Sequence, residues 1–223
     1  MLLAENGQTQ KKNSVAQLGE IIVQLKNGMF ATLGIFILTL VFSLPLGLVI
    51  TFIRMSKVKL LQWIAKIYIS IMRGTPLMLQ LLVVFFGPYY LFGISLSYSY
   101  RFYAVIIGFA LNYAAYFAEI YRAGIEAVPA GQYEAAEVLG YSKTQTFVRI
   151  IFPQMVKRVM PPVTNEVITL VKDTSLSSVI ALQELMKVTQ NWVAGSVNMT
   201  PFVIAALFYL IMNGIVTRCF TVV

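Results

Sequence analysis

Long apolar stretches separated by short polar segments dominate the sequence. A helix needs about 20 apolar residues to cross a hydrocarbon core of roughly 30 Å, and five stretches approach or exceed that length. The predicted spans are residues 29–53, 60–92, 102–120, 159–182 and 202–219. The pattern therefore predicts an all-α, polytopic membrane protein with five transmembrane helices.

Polar residues interrupt two of these spans. Residues 73–76, Arg-Gly-Thr-Pro, fall inside the second stretch, which is longer than one crossing requires, and predict a kink at Pro76. Residues 172–175, Lys-Asp-Thr-Ser, fall inside the fourth stretch. Broken helices at membrane depth expose backbone groups and helix ends that suit the charged groups of a small solute. This second interruption therefore predicts part of a solute pathway.

Lysine and arginine residues are distributed unevenly among the predicted loops. The loops between spans one and two and between spans three and four hold most of them: Arg54, Lys57, Lys59, Arg122, Lys143, Arg149, Lys157 and Arg158. The other two loops offer only Arg101 and Lys187. Because cytoplasmic loops carry the basic excess, the long loop after span three is predicted to lie inside, with the N-terminus outside and the C-terminus inside. Lys11, Lys12 and Lys26 argue more weakly for the reverse.

Residues 1–28 precede the first span and are predicted to form an external tail. Within residues 14–26, apolar side chains recur at helical spacing. They are Val15, Leu18, Ile21, Ile22 and Leu25. The pattern predicts an amphipathic helix that lies on the outer membrane surface, and a simple extension of span one is the alternative. Residues 29–223 then form the membrane domain.

Composition supports the membrane assignment and excludes several classes of function. Of the 223 residues, 58% are hydrophobic and 12% are charged, against about 45–50% and 25% in soluble domains. The net charge of +8 lies in the loop residues that set orientation, so nucleic-acid binding is not expected. No histidine occurs and Cys219 is the only cysteine, so no intrachain disulfide can form and no metal site is expected.

The predicted cytoplasmic loop, residues 123–157, carries the most specific pattern. Residues 132–139 are rich in good helix formers, and Gly140 stands where a helix commonly ends in a left-handed residue. Ser142 and Gln145 match a capping box that starts a second helix, and Pro153 ends that helix or begins the return to the membrane. The loop is predicted to be two short helices hinged at Gly140.

This loop resembles the EAA motif of ABC importer permeases. The motif, EAA-x3-G-x9-I-x-L-P, is matched at every spacing, with Phe152 in place of the usual leucine. In that family the loop docks into a cleft of a separate ATPase subunit, so the resemblance implies docking residues here. They are Glu134, Ala135, Ala136, Glu137, Gly140, Ile150 and Pro153.

Four further segments are similar to the polar amino acid permeases, the histidine, glutamine and arginine permease family. They are residues 73–76, 112–116, 119–122 and 172–176, together with Gly28 and Thr32 at the start of span one. This resemblance implies the type I ABC importer permease fold and a place in a bacterial inner membrane. It also implies three partners: an ABC ATPase dimer, a second permease chain (identical or a paralogue) and an external solute-binding protein.

The chain itself is not expected to be an enzyme. No Gly-x-x-x-x-Gly-Lys-Ser/Thr string occurs, and the nearest string, residues 140–144, lacks the second glycine before its lysine. The Gly-x-x-x-x-Gly-Lys-Ser/Thr loop is the element that binds nucleotide phosphates in many ATPases. ATP and magnesium are therefore expected on the partner ATPase, and no cofactor is expected on this chain.

Ionisable and polar groups within the spans are candidates for the solute pathway, since they are costly in a membrane. The candidates are Glu166, Asn165, Asp173, Thr174, Ser175, Asn112, Glu119 and Arg73. Glu166 falls near the middle of span four with no cation one turn away, which favours a basic amino acid as the solute. Arg73 and Glu119 either line the pathway or neutralise each other, and the same holds for Lys172 and Asp173.

Together these features predict the membrane-spanning subunit of an ATP-driven importer of polar, preferentially basic, amino acids. The main alternative is an ion-coupled secondary transporter that works alone. That alternative would explain the charged residues within the spans, but it would leave the two-helix cytoplasmic loop without a role.

Overall fold

A computed structural model of the chain describes the backbone of residues 2–196 and 198–221 and the side chains of residues 18–195 and 198–220. The helices are α1 (Leu2–Arg54), α2 (Lys59–Gly74), α3 (Leu77–Phe92), α4 (Tyr100–Glu126), α5 (Ala130–Val138), α6 (Lys143–Thr146), α7 (Phe152–Asp173), α8 (Leu185–Ser196) and α9 (Thr200–Thr221). A π-helical turn, Phe147–Ile151, joins α6 to α7, and a 3₁₀ helix, Thr174–Ile180, follows α7. No strand occurs in these ranges, so the predicted all-α class is confirmed.

Three helices are by themselves long and apolar enough to cross a membrane, within the part of the chain that is described. They are Leu18–Arg54 of α1, Tyr100–Glu126 and Thr200–Phe220. Helices α2 and α3 form a fourth candidate as a pair bent by 109°, and Pro76 stands at the bend, which confirms the predicted kink. Helix α7 holds most of predicted span four but is not among these candidates. The count of five spans therefore stays a prediction.

The N-terminal segment continues the first span in one helix. Helix α1 runs without a break through residues 14–26 into the span, which is the arrangement that the alternative, a simple extension of span one, describes. Ile21 and Leu25 of this segment are buried, and they pack with Leu185 and Ala205. Its position on the outer membrane surface stays a prediction.

The helices group into two compact units. The terminal unit comprises the chain up to Phe36 and from Val171 onward, and the central unit comprises residues 37–170. In the terminal unit, α1 lies close to the start of α8 because Gly28 has no side chain. A Cβ at that position would stand 3.0 Å from the Cα of Leu185. Small residues permit such close helix packing in membrane proteins.

Helix α4 is the core of the central unit. In its most apolar window 67% of the residues are buried, compared with 28% for α1. Ala118 packs in a cluster with Ile50 of α1 and Ala65 of α2, where its small side chain lets the helices approach. Gly124 likewise lets α4 approach α7, since a Cβ at that position would stand 2.2 Å from Cγ1 of Val159. The helix that carries Asn112 and Glu119 is therefore held on several sides.

Candidate functional site

The predicted hinge of the cytoplasmic loop is confirmed. Helix α5 ends before Gly140, which has a left-handed backbone with φ of +75°, a conformation that costs glycine little. The Ser142 N–H donates to Gln145 Oε1 at 2.9 Å, and the Gln145 N–H donates to Ser142 Oγ at 3.3 Å. These two bonds form the predicted capping box at the start of α6.

Pro153 does not end the second helix. Helix α6 continues through the π-helical turn directly into α7, which includes Pro153 in its first turn. Proline has no N–H to continue the regular helical ladder, and wider π turns absorb such irregularities inside helices. The second half of the loop is therefore continuous with α7.

The surface of α5 is mostly exposed. Of the predicted docking residues, Glu134, Ala135, Glu137, Gly140 and Pro153 are exposed, Ile150 is half-buried and Ala136 is buried. Ala136 therefore packs within its own chain and does not present its side chain for a partner's close approach. Sequence reasoning missed Val138 and Leu139, whose exposed fractions of 87% and 72% are unusual for such apolar side chains. Their signal was two apolar residues in succession at the end of a polar helix.

A cavity of about 560 Å³ lies beside the hinge. Its lining residues are Tyr133, Glu137, Tyr141, Ser142, Lys143, Thr146 and Phe147. Only Glu137 among them was predicted as a docking residue. The surface of the loop therefore has two features that a partner could contact, the exposed apolar end of α5 and this cavity.

In the central unit, Asn112 belongs to a set of amide contacts at the α2–α3 bend. Its Nδ2 donates to the Met72 carbonyl at 3.0 Å and to Gln80 Oε1 at 2.9 Å. Gln80 Nε2 in turn donates to the carbonyls of Met72 at 2.9 Å and Thr75 at 3.1 Å. We call Asn112, Gln80 and these two carbonyls the amide knot. Sequence reasoning missed Gln80, which gave no signal beyond being polar inside an apolar stretch.

Arg73 and Glu119 do not form the ion pair that the sequence allowed. Arg122 binds Glu119, with its Nε 3.1 Å from Glu119 Oε2, and also binds Glu126. Arg73 instead lies over the ring of Tyr116, with 5.3 Å from its guanidinium carbon to the ring centroid. Arg122 pairs with both acids because it lies one turn from each of them on the same helix.

The predicted interruption after α7 is confirmed. The helix changes to a 3₁₀ helix at Thr174, and Ala181 ends that helix with a left-handed φ of +57°. Thr174 is fully buried and its hydroxyl donates to the Val171 carbonyl at 2.7 Å, while Ser175 Oγ donates to the Lys172 carbonyl at 2.7 Å. The hydroxyl groups of the interrupted segment therefore donate to backbone carbonyls at the end of α7.

The remaining predicted pathway residues lie on α7. Asn165 is exposed, and Glu166 and Asp173 are half-buried. Glu166 and Asp173 each take part in an interaction. Glu166 is therefore not the unpartnered carboxylate from which the basic-amino-acid preference was argued.

In the terminal unit, sequence reasoning missed a buried carboxylate. Glu184 is fully buried, and its two oxygens accept from the N–H groups of Met186 and Lys187, each at 2.8 Å. The Tyr209 hydroxyl donates to Glu184 Oε2 at 3.3 Å, and the N–H of the adjacent Leu185 donates to Thr32 Oγ1 at 3.2 Å. We call Glu184, Tyr209 and Thr32 the carboxylate node. Glu184 escaped notice because it falls in a short polar segment outside the predicted spans.

No group of three or more histidine, cysteine, aspartate or glutamate residues in the described part of the chain could hold a metal ion. Hydrogen bonds, exposed apolar side chains and charges make up the chemistry that these residues offer.

A protein-family model described as "Binding-protein-dependent transport system inner membrane component" matches residues 43–223. The arginine transport system permease protein ArtQ of Bacillus subtilis is 37% identical, over 85% of this chain and 86% of the relative. The L-cystine transport system permease protein TcyB of the same organism is 40% identical, over 75% and 70%. A putative glutamine transport system permease protein GlnP of Rickettsia bellii is 37% identical, over 86% and 87%.

Two solved structures are similar along nearly the whole chain. A crystal structure of an amino acid ABC transporter with histidines gives a TM-score of 0.84 at 31% identity, covering 93% of this chain and 95% of that one. An inward-facing MetNI methionine ABC transporter gives a TM-score of 0.68 at 17% identity, covering 92% and 95%. The second likeness bears on the fold alone.

Proposed function

The chain belongs to the family of binding-protein-dependent transport system inner membrane components, and we propose that it couples a separate ATPase to the passage of a basic amino acid. It is a permease subunit of a polar amino acid ABC importer and a multi-pass protein of the inner membrane. Its relatives are transport permeases, which are not themselves enzymes. In this proposal ATP and magnesium are bound by the partner ATPase.

The hinged cytoplasmic loop is the observation that carries the coupling proposal. Val138 and Leu139 expose apolar surface at the end of a short helix, and Glu134 and Glu137 expose carboxylates beside them. A partner groove would bury the first pair and meet the second pair with basic residues. Because α6 runs into α7, a movement of the docked loop would be passed on to α7 as a rigid element.

Replacing Val138 with glutamate tests the docking proposal. A charge at the centre of a buried apolar contact should weaken co-purification with the ATPase by at least about tenfold, and Val138 is 87% exposed, so the substitution leaves the core of the chain intact. Val58→Glu is the matched control, because Val58 is also exposed, at 54%, in the other predicted cytoplasmic loop. Equal association of both variants with the ATPase would contradict docking through α5.

The preference for a basic amino acid rests on two supports. ArtQ, at 37% identity, is named for arginine transport, and the predicted pathway includes the half-buried acids Glu166 and Asp173. Acidic side chains in a transport pathway attract cationic solutes. Other relatives are named for cystine and glutamine transport. Transport of a neutral amino acid is therefore the competing hypothesis that the experiment must separate from this one.

Uptake measured in vesicles that contain the permease, the ATPase and the solute-binding protein tests this preference. Wild type should take up arginine in preference to glutamine, and Glu166→Gln should weaken uptake of the basic amino acid more than uptake of the neutral one. Asn165→Ala, at the exposed neighbouring residue, is the control. Unchanged selectivity in Glu166→Gln would exclude Glu166 from the pathway.

The proposed assembly has an external solute-binding protein, two ATPase subunits and a second permease chain, with the N-terminus outside and the C-terminus inside. Cys219, the single cysteine of the sequence, is exposed and reports the orientation directly. A membrane-impermeant maleimide should label it in inside-out vesicles and leave it unlabelled in right-side-out vesicles. The opposite labelling pattern would reverse the proposed topology.

The ion-coupled alternative predicts a different energy source. Family membership favours the ATP-driven transporter, and the two are separated by omitting the ATPase from the vesicles. Uptake should then cease even when an ion gradient is imposed. Uptake driven by the gradient alone would favour the secondary transporter.

A further inference from the structure

We propose that a cavity between the last turns of α4 and the first turns of α7 binds the headgroup of an anionic phospholipid. The cavity has a volume of about 240 Å³. Among the residues that line it are Ile120 and Ala123 of α4, and Arg158, Val159 and Pro162 of α7. A lipid site adds an interaction to the proposed transport function and does not depend on which amino acid is transported.

The cavity lies at the depth of the lipid headgroups. Helix α4 has 27 residues, which extend over about 40 Å at 1.5 Å per residue. A bilayer with its headgroup regions is about 40–45 Å thick, so the ends of a spanning helix of this length reach the headgroups. Ile120 and Ala123 belong to the last two turns of α4. In the proposed orientation, this end of the helix faces the cytoplasm.

Small side chains leave space between the two helices. At Gly124 the helices are in close contact, since a Cβ there would stand 2.2 Å from Cγ1 of Val159 and 3.2 Å from Cγ of Met155. Ala123, the preceding residue, is exposed, and its methyl group is too short to fill the space beside this contact. Ile120 and Val159 give the cavity apolar walls. Such walls suit the part of a phospholipid where the acyl chains begin.

Arg158 supplies a positive charge that is available to a ligand. The residue is exposed, and it forms no ion pair with any residue in the described part of the chain. The two acids near this end of α4, Glu119 and Glu126, are both bound by Arg122. A guanidinium group binds a phosphate through paired N–H donors, so Arg158 fits the phosphate of a headgroup.

Pro162 leaves a hydrogen-bond acceptor beside this charge. Proline has no N–H, so Pro162 inside α7 cannot donate to the carbonyl of Arg158, four residues earlier. Both residues line the cavity, and a hydroxyl group of the headgroup can supply the missing donor. Phosphatidylglycerol combines a phosphate, hydroxyl groups and acyl chains in this arrangement. Basic pockets between membrane helices on the cytoplasmic side are known to bind phospholipid headgroups.

Lipid retention by the purified permease tests the role of Arg158. The protein is equilibrated in detergent with equal amounts of phosphatidylglycerol and phosphatidylcholine, and the bound lipids are counted by native mass spectrometry. Wild type should retain phosphatidylglycerol in preference. Arg158→Gln should lower this retention by about fivefold, the contribution of one basic residue near an anionic lipid surface. Lys157→Gln is the matched control, because Lys157 is the exposed neighbour and should be substituted without effect.

A second variant tests the cavity without changing any charge. Ala123→Leu places a larger side chain in the space between the helices, at an exposed position where the core of the chain is unaffected. The retention of phosphatidylglycerol should fall at least as much as in Arg158→Gln, because the headgroup and the leucine side chain compete for the same volume.

Four outcomes would overturn the proposal. Equal loss of lipid in Arg158→Gln and Lys157→Gln would indicate general attraction to a basic surface, and unchanged retention in Ala123→Leu would place the lipid elsewhere. Displacement of the lipid by millimolar glycerol 1-phosphate would identify a site for a free phosphate compound. Separation of two permease chains by Ala123→Leu, visible in the same spectra, would identify the groove as a contact between copies of this chain.

Discussion

The α2–α3 bend and the start of α8 are held by different chemistry. At the α2–α3 bend, the amide knot consists of neutral groups, with Asn112 and Gln80 sharing the Met72 carbonyl. At the start of α8, the carboxylate node depends on one carboxylate that is fully removed from solvent, Glu184. The first arrangement spreads its bonds over several groups, and the second concentrates them on one.

This difference determines how each region responds to the loss of a residue. In the amide knot, removal of Asn112 leaves the Met72 carbonyl still bonded to Gln80. In the carboxylate node, removal of Glu184 leaves two N–H groups and a tyrosine hydroxyl without their acceptor at once. A buried group left unsatisfied costs more than the net gain of an ordinary hydrogen bond. The node is therefore the more sensitive of the two.

The largest effect is expected for Glu184→Ala. The free energy of unfolding should fall by about 3 kcal/mol, since buried donors lose a charged acceptor. Thermal unfolding of the purified permease in detergent measures the change. Glu20→Ala, at an exposed glutamate of α1 in the same unit, is the control and should change little. A change of equal size in both variants would show that the contacts of Glu184 do not stabilise the fold more than those of an exposed glutamate.

A smaller loss is expected for Asn112→Ala. Two hydrogen bonds disappear, but the shared carbonyl keeps a donor, so the free energy of unfolding should fall by about 2 kcal/mol. The same thermal measurement applies, with Gln183→Ala as the control because the Gln183 amide is exposed and its bond to Asn191 lies at the surface. A loss for Asn112→Ala that exceeds the loss for Glu184→Ala would reverse the comparison.

Local patterns in the sequence predicted local structure well. The left-handed Gly140 and the capping box between Ser142 and Gln145 follow from preferences within a few residues. The kink at Pro76 likewise follows from the missing N–H of proline. In each case the atoms that decide the structure lie within one helical turn, so a single sequence contains the relevant information.

Pairings between distant residues could not be predicted in the same way. Gln80 meets Asn112 and Glu184 meets Tyr209 only after helices have packed. The sequence also suggested Arg73 as a partner of Glu119 by estimated depth, whereas Arg122 on the same helix is the actual partner. The preference for near neighbours on a helix was sufficient to identify Arg122.

The smallest effect is expected where α1 approaches the carboxylate node. Gly28→Ala would place a methyl group 3.0 Å from the Cα of Leu185, and backbone atoms cannot rotate away as a flexible side chain can. The gain in helix propensity, up to about 1 kcal/mol, opposes this crowding. A net loss of about 1 kcal/mol in the free energy of unfolding is expected, because overpacking costs about 1–3 kcal/mol.

Gly19→Ala isolates the crowding from the propensity gain in this last comparison. Gly19 lies on the same helix, and a Cβ added there would meet nothing within 4 Å, so alanine should raise the free energy of unfolding by up to about 1 kcal/mol. If Gly28→Ala lowers the free energy of unfolding and Gly19→Ala raises it, the Leu185 turn is held against α1 by close packing as well as by hydrogen bonds. If Gly28→Ala were also stabilising, the turn would have room to shift, and the rigidity of the carboxylate node would rest on the contacts of Glu184 alone.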